Sequence, residues 1–459
     1  MESAPGLCAG CVLGRRGRLR PRTFAQTSRG VTEIRIHCPS LGCRLNQAEM
    51  TALERALASQ GHEKVADARA ADVIVLNTCA VTAEAERKSR QLLRRLRREN
   101  PRAEIIVTGC YAELDASLGG WAETASRVVG NAAKRALIGE PGQVAAPVAG
   151  AAGPRPRGGR TRALVRVQEG CDNRCAYCVV WKLRGPQMSR PAAAILNEVQ
   201  ELVREGRQEV VLTGVHTGAY GRDGSEPGVE DLSALVRLLL ARTEIARIRL
   251  SSIEPWDLAH LDLSLWDDSR LCRHLHVPLQ SGSDAVLGRM GRRYTTAQYE
   301  QLVRGLQAAI PDLAVTTDVI AGFPGESQSD HESTLRLAHR CGFARMHVFP
   351  YSERPGTEAA GMAGQVAPEV RRRRASELRR LAGELRQRFE EAQLGKTAEV
   401  LWERRRGGRW QGLTSNYVSV SAECESDVRN IVKPTLLVVR GEAGVIGLIQ
   451  DDCRGASTS

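Results

Sequence analysis

Short apolar runs alternate with longer amphipathic stretches along most of the chain. The repeating units are shorter in residues 31–138 than in residues 157–391. From residue 31 to 138, short runs such as EIRIHC and DVIVLN are each followed by a stretch with apolar residues every three or four positions. Short β-type runs predict strands, and a period near 3.6 predicts a helix. Because strands that alternate with helices usually form a parallel sheet, we predict a small parallel α/β domain over residues 31–138.

The alternation resumes in longer units from residue 157 to 391. Six strand-like runs are separated by amphipathic helices, such as the one in which Ile195, Val199 and Leu202 share a face. Six such units predict a partial (β/α)6 barrel of the TIM type, whose active site would lie at the carboxyl ends of the strands. The predicted strands are ALVRVQ, EVVLTG, RIRLSS, HLHVPL, LAVTTDVIAG and ARMHVFPYS.

Three further segments do not follow this alternation. Residues 139–156 are rich in Gly, Pro and Ala and carry no apolar period, so we predict a linker. Short β-type runs separated by glycine turns predict a small β-barrel over residues 392–455. Residues 1–30 form an extension that we expect to be disordered. The predicted fold is therefore α/β, with a β-barrel at its C-terminal end.

Composition indicates the setting. With 459 residues, 42% hydrophobic and 26% charged, the chain is of globular type and long enough for two or three domains. No apolar run approaches the roughly 20 residues of a membrane span, and the arginine-rich start lacks the apolar region of a signal peptide. We therefore expect no membrane association and a cytoplasmic location. There, the 13 cysteines would stay mostly reduced, which favours metal binding or burial over disulfides.

The chain is basic, with 65 Lys and Arg against 53 Asp and Glu and a formal net charge of +12. The excess is clustered, which suits a polyanionic partner such as nucleic acid. Solvated helix faces are the alternative interpretation of each cluster. The basic clusters are residues 86–100, 155–166, 370–381 and 403–410.

Three cysteines lie within eight positions, in the stretch VQEGCDNRCAYCVV. Cys171, Cys175 and Cys178 follow the first predicted barrel strand, and a loop with three thiolates leaves one iron of a [4Fe–4S] cluster free for another ligand. A structural zinc ion normally takes four N or S ligands, and no CxxC or HxxxH partner lies nearby. Buried structural cysteines also prefer apolar neighbours. We therefore interpret the stretch as an iron–sulfur site.

This stretch resembles the signature of the radical S-adenosylmethionine superfamily, CxxxCx(aromatic)C, with Tyr177 as the aromatic residue. The resemblance implies a [4Fe–4S] cluster whose unique iron binds S-adenosylmethionine, and reductive cleavage of that cofactor to a 5′-deoxyadenosyl radical. It also implies cofactor contacts at Tyr177, at Gly214 after the second predicted strand, and at Gly322 in VIAGFPGE.

The resemblance extends to one branch of the superfamily, the methylthiotransferases. These have an N-terminal domain with three spaced cysteines, the radical barrel and a C-terminal TRAM domain. The stretches SLGCRLNQAE, NTCAVT and VTGCYA contain the matching Cys43, Cys79 and Cys110, each after a predicted strand. Without the resemblance, such cysteines could simply be buried. With it, they imply a second [4Fe–4S] cluster that serves sulfur transfer.

Three substrates are known in this branch: isopentenyladenosine in tRNA, threonylcarbamoyladenosine in tRNA, and an aspartate of a ribosomal protein. The turn TGVHTGAYG, which contains His216, resembles the threonylcarbamoyl group of enzymes. This implies conversion of N6-threonylcarbamoyladenosine at position 37 of tRNA to its 2-methylthio form. The partners would be the tRNA anticodon loop and an external electron donor such as flavodoxin or ferredoxin, and we expect a monomer. The other two substrates, and a non-catalytic iron–sulfur scaffold that binds RNA, are the alternatives.

The C-terminal segment carries candidate RNA contacts. Arg404, Arg405 and Arg406 precede Trp410, a combination that suits phosphate contact and base stacking. Packing of Trp410 and Tyr417 in the barrel core is the alternative. We predict that deletion of residues 396–459 cripples action on whole tRNA and leaves cluster binding intact.

Two features depart from the family pattern. Met188 in RGPQMSRP stands where family members usually have an arginine, although Arg184 and Arg190 remain available for RNA or substrate. Cys8 and Cys11 form a CxxC in the N-terminal extension, which has no family counterpart. We interpret this pair as inert.

Overall fold

Three structural units follow one another in the computed structural model: a parallel sheet, a partial barrel and a closed β-barrel. The residues that the model does not describe include Cys8, Cys11 and the predicted linker. None of the described helices has both the length and the apolar character of a membrane span. The described residues are 33–115, 121, 124–138, 161–225 and 228–450.

The N-terminal unit is a five-stranded sheet with flanking helices, as the sequence pattern predicts. Its elements are β1 (Arg35–His37), α1 (Arg44–Ser59), β2 (Glu63–Lys64), β3 (Val73–Thr78), α2 (Ala83–Glu99), β4 (Glu104–Gly109), α3 (Cys110–Asp115), β5 (Arg127–Val129) and α4 (Asn131–Ile138).

This sheet is parallel throughout, with the strand order β2-β1-β3-β4-β5. All six residues of β3 are buried, which explains its uninterrupted apolar start, because helices cover both faces of a parallel sheet. The two-residue edge strand β2 is absent from the sequence prediction, since a polar run so short has no detectable period. β1, β3 and β4 are neighbours, so the loops at their carboxyl ends converge on one edge.

The central unit contains the six predicted barrel strands and a small additional hairpin. Its elements are β6 (Arg162–Arg166), β7 (Gln168–Glu169), α5 (Val180–Arg184), β8 (Met188–Ser189), α6 (Ala192–Arg204), β9 (Glu209–Thr213), α7 (Leu232–Arg242), β10 (Arg247–Leu250), α8 (Pro255–Leu258), β11 (His274–His276), α9 (Asp284–Arg289), α10 (Thr296–Ala309), β12 (Ala314–Ala321), α11 (Gln328–Cys341), β13 (Arg345–Pro350) and α12 (Pro368–Glu391).

The barrel strands form two parallel three-stranded sheets, β6-β9-β10 and β11-β12-β13. Isolated parallel bridges, Ile248 with Leu271 and Ser252 with His276, connect β10 to the second sheet. The result is a partial barrel of six strands in chain order, which confirms the predicted core. Alternate strand residues join a large apolar cluster under the outer helices, so the intervening residues face the interior.

The C-terminal unit is a closed five-stranded barrel with the strand order β14-β15-β16-β18-β17. Trp402 and Trp410 are buried in its apolar core. Its strands are β14 (Thr397–Arg406), β15 (Arg409–Thr414), β16 (Ser419–Ala422), β17 (Val432–Gly441) and β18 (Gly444–Ile449).

The turn between β15 and β16 closes the amino end of the central barrel. Tyr417 in this turn has a φ of 68°, and its ring stacks on His274 with the centroids 4.6 Å apart. The guanidinium of the buried Arg249 lies 4.9 Å from the same ring and donates to the carbonyls of Thr414 and Ser415. Tyr417 therefore packs in the bottom of the neighbouring barrel, rather than in the core of its own.

All three units meet at this tyrosine. Arg44, the first residue of α1, donates to the Tyr417 hydroxyl at 3.1 Å. Arg247 of β10 donates to the carbonyls of Leu413 and Glu399 in the C-terminal barrel. The carbonyl groups of the C-terminal unit thus accept hydrogen bonds from buried arginines of the central unit. The unit therefore contributes to the structure of the central barrel as well as offering a surface of its own.

Candidate functional site

The loop with the three clustered cysteines runs between β7 and α5. Cys171 follows Gly170, whose φ is 69° and where an added Cβ atom would lie 1.8 Å from the Pro186 carbonyl oxygen. Only glycine fits such a position. The Cys178 N–H donates to the Cys175 carbonyl at 2.9 Å. The chain therefore holds the three thiols of this loop, the loop triad, in one tight turn at the carboxyl end of the barrel.

A buried arginine contacts the loop triad. Arg292 donates from Nη1 to the Cys175 sulfur at 3.5 Å, and its side chain is 1% exposed. It pairs with Glu254 and lies 4.8 Å from the centre of the Trp256 ring. Because arginine keeps its proton in proteins, Arg292 places a fixed positive charge beside a thiol and favours its ionised form.

The other three candidate cysteines come together at the edge of the N-terminal sheet, as the strand pattern predicts. Cys43 precedes α1, Cys79 follows β3 and Cys110 begins α3 directly after β4. At Gly42, with a φ of 97°, an added Cβ atom would lie 2.5 Å from the Cys79 sulfur. Glycine at this position therefore lets the loop of Cys43 approach Cys79. Cys43, Cys79 and Cys110 are called the sheet triad below.

The sheet triad also has a buried arginine, supplied by the central unit. Arg184, at the end of α5, donates from Nε to the Cys110 sulfur at 3.2 Å. It forms an ion pair with Glu49 of α1 at 2.7 Å and a second with Glu169 at 3.2 Å, and it donates to Asn46 Oδ1 at 2.7 Å. Its side chain is 1% exposed, so this arginine is not available to RNA.

Positive charge exceeds negative charge around Arg184. Lys134 pairs with the other oxygen of Glu49 at 2.6 Å, and Arg166 pairs with Glu169 at 2.8 Å. Burial would raise the pKa of Glu49, but Arg184 and Lys134 outweigh it and hold that pKa well below its usual range. The described partners are thus three cations and two carboxylates. The excess positive charge beside Cys110 matches a thiolate or an anionic cluster.

Two of the thiols need a metal ion in order to ionise. Burial raises the pKa of Cys79 to about 12 and that of Cys178 to about 12. As free thiols, both would keep their protons at neutral pH. A coordinated metal ion displaces the proton from a thiol. The buried thiols, with arginine beside each triad, therefore fit metal binding.

The spacing of the sulfur atoms favours a cluster over a single ion. A tetrahedral zinc site with Zn–S bonds of about 2.3 Å places its sulfurs roughly 3.8 Å apart. Among the described residues, the group of three potential ligands with ligand atoms all within 4.8 Å of one another is His276, Asp318 and His347, and neither cysteine triad forms such a group. A cubane cluster spreads its ligands more widely, since each sulfur binds a different iron.

Helix α5 joins the two triads. It begins directly after Val179, the neighbour of Cys178, and ends at Arg184, which contacts Cys110. Its five residues rise by about 8 Å. Val179 and Leu183 belong to the apolar core of the N-terminal unit. A second contact between the units is the ion pair of the buried Arg354, after β13, with Glu86 of α2. Helix α5 and this ion pair therefore join the N-terminal unit to segments at the carboxyl end of the central barrel, where the loop triad lies.

The three residues expected to contact S-adenosylmethionine surround the loop triad. Tyr177 is half-buried and packs in an apolar cluster that contains Phe323, the residue after Gly322. Gly214 directly follows β9, and a Cβ atom added there would lie 2.8 Å from Gln168 Oε1. The Gly322 N–H donates to Glu326 Oε1 at 3.0 Å. Their positions suit the predicted cofactor contacts, which stay a prediction.

His216 lies beside the loop triad. Its Nε2 is 2.6 Å from Asp257 Oδ2, and its Nδ1 is 3.3 Å from the Asn173 amide nitrogen. Burial would lower the pKa of His216, but hydrogen bonds with Asp257 and Cys171 outweigh it and raise that pKa to about 9. His216 therefore links the turn after β9 to the loop that carries Cys171.

The candidate RNA contacts separate into exposed and buried residues. Arg404, Arg405 and Arg406 are exposed on β14. Trp410 is 6% exposed and packs in the core of its barrel, which favours the packing alternative over base stacking. Met188 is 42% exposed.

Arg190, the other arginine of the RGPQMSRP stretch, pairs with Glu198. Because Arg184 is buried in the network around Glu49, its predicted availability to RNA or substrate is wrong. Met188 is thus exposed, as are Pro186 and Pro191, while neither arginine of the stretch is.

Sequence reasoning missed the two buried arginines that contact the triads. Nothing in the local pattern distinguishes Arg292 from the adjacent Arg293. For Arg184, a signal lies elsewhere in the chain: Glu49 falls on the buried face of α1, between Ala48 and Met50. A buried carboxylate almost always has a cationic partner.

Two family models match the chain. One, described as "Uncharacterized protein family UPF0004", matches residues 35–126, which hold the sheet triad. The other, the radical SAM superfamily, matches residues 165–338, which hold the loop triad. The two matches coincide with the N-terminal unit and most of the partial barrel.

Characterised relatives match nearly the whole chain. The threonylcarbamoyladenosine tRNA methylthiotransferase MtaB of Chlamydia pneumoniae is 36% identical, over 89% of this chain and 96% of that protein. The MtaB of Bacillus subtilis (strain 168) is 35% identical, over 87% and 92%. The tRNA-2-methylthio-N(6)-dimethylallyladenosine synthase of Novosphingobium aromaticivorans is also 35% identical, over 87% and 94%.

Proposed function

Because the chain belongs to the radical S-adenosylmethionine methylthiotransferases, we propose that it methylthiolates N6-threonylcarbamoyladenosine at position 37 of tRNA. The enzyme is a tRNA methylthiotransferase with two [4Fe–4S] clusters and S-adenosylmethionine as cofactors. The observation that carries the proposal is the placement of two cysteine triads at the two ends of α5. We propose that a single substrate base binds between the two triads.

The chemistry requires the cofactors, since the C–H bond at carbon 2 of adenine is too strong for acid–base or nucleophilic catalysis. When bound, S-adenosylmethionine and the two clusters supply the radical that removes this hydrogen, together with the sulfur and methyl group that replace it. We assign Cys171, Cys175 and Cys178 to the radical-generating cluster. Cys43, Cys79 and Cys110 would hold the cluster that serves sulfur transfer.

The surrounding residues would hold the clusters and S-adenosylmethionine in place and offset the negative charge of the thiolates. Arg292 and Arg184 each place a positive charge beside a cluster-ligating sulfur, which offsets the negative charge of the thiolates. Gly214 exposes backbone that could contact the methionyl amino group, and Tyr177 and Gly322 would border the rest of S-adenosylmethionine. The apolar residues around Tyr177 would exclude water from the radical.

The C-terminal barrel has the size and position of the TRAM domain that the resemblance implies. We propose that Arg404, Arg405 and Arg406, exposed on β14, bind tRNA phosphates while the anticodon loop enters the barrel mouth. Position 37 lies in a single-stranded loop, whose bases can be splayed into a pocket. We further propose that the enzyme is a cytoplasmic monomer and takes electrons from flavodoxin or ferredoxin.

The alternatives to this substrate and function differ in which observations they fail to explain. Isopentenyladenosine is the first rival, since the relative from Novosphingobium aromaticivorans is named for that chemistry. The turn with His216 favours the threonylcarbamoyl group. A ribosomal-protein aspartate has no counterpart in the names of the relatives reported above. A non-catalytic iron–sulfur scaffold would keep the triads as cluster ligands but would have no need to bind S-adenosylmethionine, and reductive cleavage of S-adenosylmethionine by the purified protein would exclude it.

The test is mass spectrometry of nucleosides from total tRNA of a strain that lacks the gene, with and without complementation. We expect 2-methylthio-N6-threonylcarbamoyladenosine to disappear on deletion and to return with the wild-type gene but not with Cys79→Ala. Loss of the 2-methylthio-isopentenyl nucleoside instead would assign the other tRNA substrate. Unchanged tRNA nucleosides would overturn the tRNA assignment and direct the search to ribosomal proteins.

A further inference from the structure

The interior face of β12 and β13 carries polar groups that neither cysteine triad uses. In the register of these strands, Thr316 lies opposite Arg345, Asp318 opposite His347, and Ile320 opposite Phe349. The intervening residues, such as Val319 and Val348, pack under the outer helices. The wall of these three pairs is called the polar wall below.

The polar wall is open to a ligand. Arg345 and His347 are exposed, Asp318 is half-buried, and Phe349 is 40% exposed although large and apolar. His276 completes the layer of Asp318, with its Nε2 3.4 Å from Asp318 Oδ1. Ligand sites typically combine apolar and aromatic side chains with a few placed polar groups, and the polar wall has this combination.

The polar wall changes from apolar to charged side chains along the barrel axis. Its apolar pair, Ile320 and Phe349, lies toward the carboxyl end, where Gly322 and the loop triad are found. Its charged pairs lie deeper, and the positive charge of Arg345 dominates the deepest layer. A ligand with a flat apolar part and an anionic polar tail would match this order of surfaces.

A second arginine adds positive charge near the polar wall. Arg44 follows Cys43 of the sheet triad and donates to the Tyr417 hydroxyl at the barrel bottom. Burial lowers the pKa of His347, and the charges of Arg345 and Arg44 lower it further against the opposing effect of Asp318. His276, Asp318 and His347 could hold a divalent cation by spacing alone. Two arginines against the single carboxylate of Asp318 make the wall unfavourable for a cation and favourable for an anion.

From this arrangement we propose that the polar wall is the specificity pocket for the N6 substituent of the substrate base, an inference that rests on the proposed function. The threonylcarbamoyl group ends in a carboxylate and a hydroxyl. Arg345 and His347 bind the carboxylate, Asp318 and His276 bind the hydroxyl, and Phe349 packs on the adenine ring. The isopentenyl group has no polar atom, so it would leave these groups desolvated and unpaired.

The test measures binding of anticodon stem-loops to the cluster-loaded protein, with threonylcarbamoyladenosine or unmodified adenosine at position 37. Arg345→Leu and His347→Leu should each weaken binding of the threonylcarbamoyl stem-loop about 10- to 100-fold and that of the unmodified one less than about twofold. Arg336→Leu, on the solvent side of α11, is the matched control. Arg345→Lys and His347→Gln, with iron content and melting temperature, show that a loss does not come from misfolding.

Equal losses for both stem-loops, or unchanged binding of the threonylcarbamoyl one, would overturn the pocket. Equilibrium dialysis with Zn²⁺ or Mn²⁺ tests the cation alternative. If the wild type bound one ion at this site and His347→Leu bound none, the proposed specificity pocket would be overturned in favour of a cation site. Failure of the proposed function looks different, because the wild-type enzyme would then not methylthiolate the threonylcarbamoyl stem-loop at all.

Discussion

The two cysteine triads perform related tasks but are assembled differently. The loop triad lies within eight positions of one turn, whereas the sheet triad spans Cys43 to Cys110 and needs three neighbouring strands in register. Each has one sulfur in contact with a buried arginine, Arg292 in the first case and Arg184 in the second. Only Arg184 comes from another structural unit. A local site depends mainly on its own loop, while a distributed site depends on how units dock.

The strongest test separates the two triads by function. Cys175→Ala and Cys79→Ala should both abolish methylthiolation of tRNA, because the reaction needs both clusters. Only Cys175→Ala should also abolish 5′-deoxyadenosine formation from S-adenosylmethionine in the reduced protein, measured by chromatography. Each variant should retain about half of the iron. Cys341→Ala, a buried cysteine outside both triads, is the control, and loss of 5′-deoxyadenosine in Cys79→Ala would contradict the division.

The contact between the sheet triad and the central unit can be broken at Arg184. Arg184→Leu leaves the buried Glu49 and Glu169 without this partner and removes the charge beside Cys110, so we expect a loss of about 3–5 kcal/mol in the free energy of unfolding. Iron should leave the sheet triad before the loop triad, visible as a halved iron content with 5′-deoxyadenosine formation retained.

Arg184→Lys keeps the charge but not the forked geometry and should lie between this variant and the wild type. Arg94→Leu, an exposed position on α2, is the matched control. If Arg184→Leu bound iron as the wild type does, the arginine would have no part in holding the sheet triad.

The central barrel, which carries the loop triad, is also stabilised by a contact with the C-terminal unit at Tyr417. Tyr417→Ala opens a gap beside His274 and Arg249 and should cost about 3 kcal/mol, measured by thermal unfolding. Tyr417→Phe keeps the ring but loses the hydroxyl, which accepts from Arg44 and also interacts with Arg162, and should cost about 1 kcal/mol. Equal melting temperatures for the two variants would show that the stacked ring contributes nothing.

Deletion of residues 396–459 would remove Tyr417 and the carbonyl acceptors of Arg247 and Arg249, and it would leave these two buried arginines with Glu209 as their shared carboxylate partner. The sequence-based expectation was that this deletion spares cluster binding. The contacts predict instead that it unfolds the central barrel, with loss of iron from both triads. A deletion variant with full iron content would restore the earlier expectation.

The smallest effect is expected at a surface that touches neither triad. Replacement of Arg404, Arg405 and Arg406 by alanine should weaken tRNA binding several-fold and reduce the slope of log affinity against log salt by about 2. Iron content and 5′-deoxyadenosine formation should stay unchanged. The control replaces three exposed arginines of the N-terminal unit. These are Arg35 at the start of β1, Arg69 in a short 3-10 helix before β3, and Arg127 at the start of β5.

The same comparison explains what the sequence could predict. The strands, their parallel order and the loop triad follow from local periodicity and spacing. The sheet triad could be predicted only when the cysteines after three separate strands were considered together. The burial of Arg184, the position of Tyr417 and the polar wall depend on contacts between residues more than 100 positions apart or on which face of a strand is covered. Local pattern contains no such information.

Helix α5 also bears on how the protein is made. Val179 and Leu183 complete the apolar core of the N-terminal unit, yet they are synthesised after the last helix of that unit, which ends at Ile138. At about 5–20 residues per second, the ribosome needs a few seconds to reach them. During this interval the nascent N-terminal sheet exposes the surface that α5 will cover, and it lacks the arginine that belongs beside Cys110. Iron delivery to the sheet triad should therefore follow synthesis of residue 184.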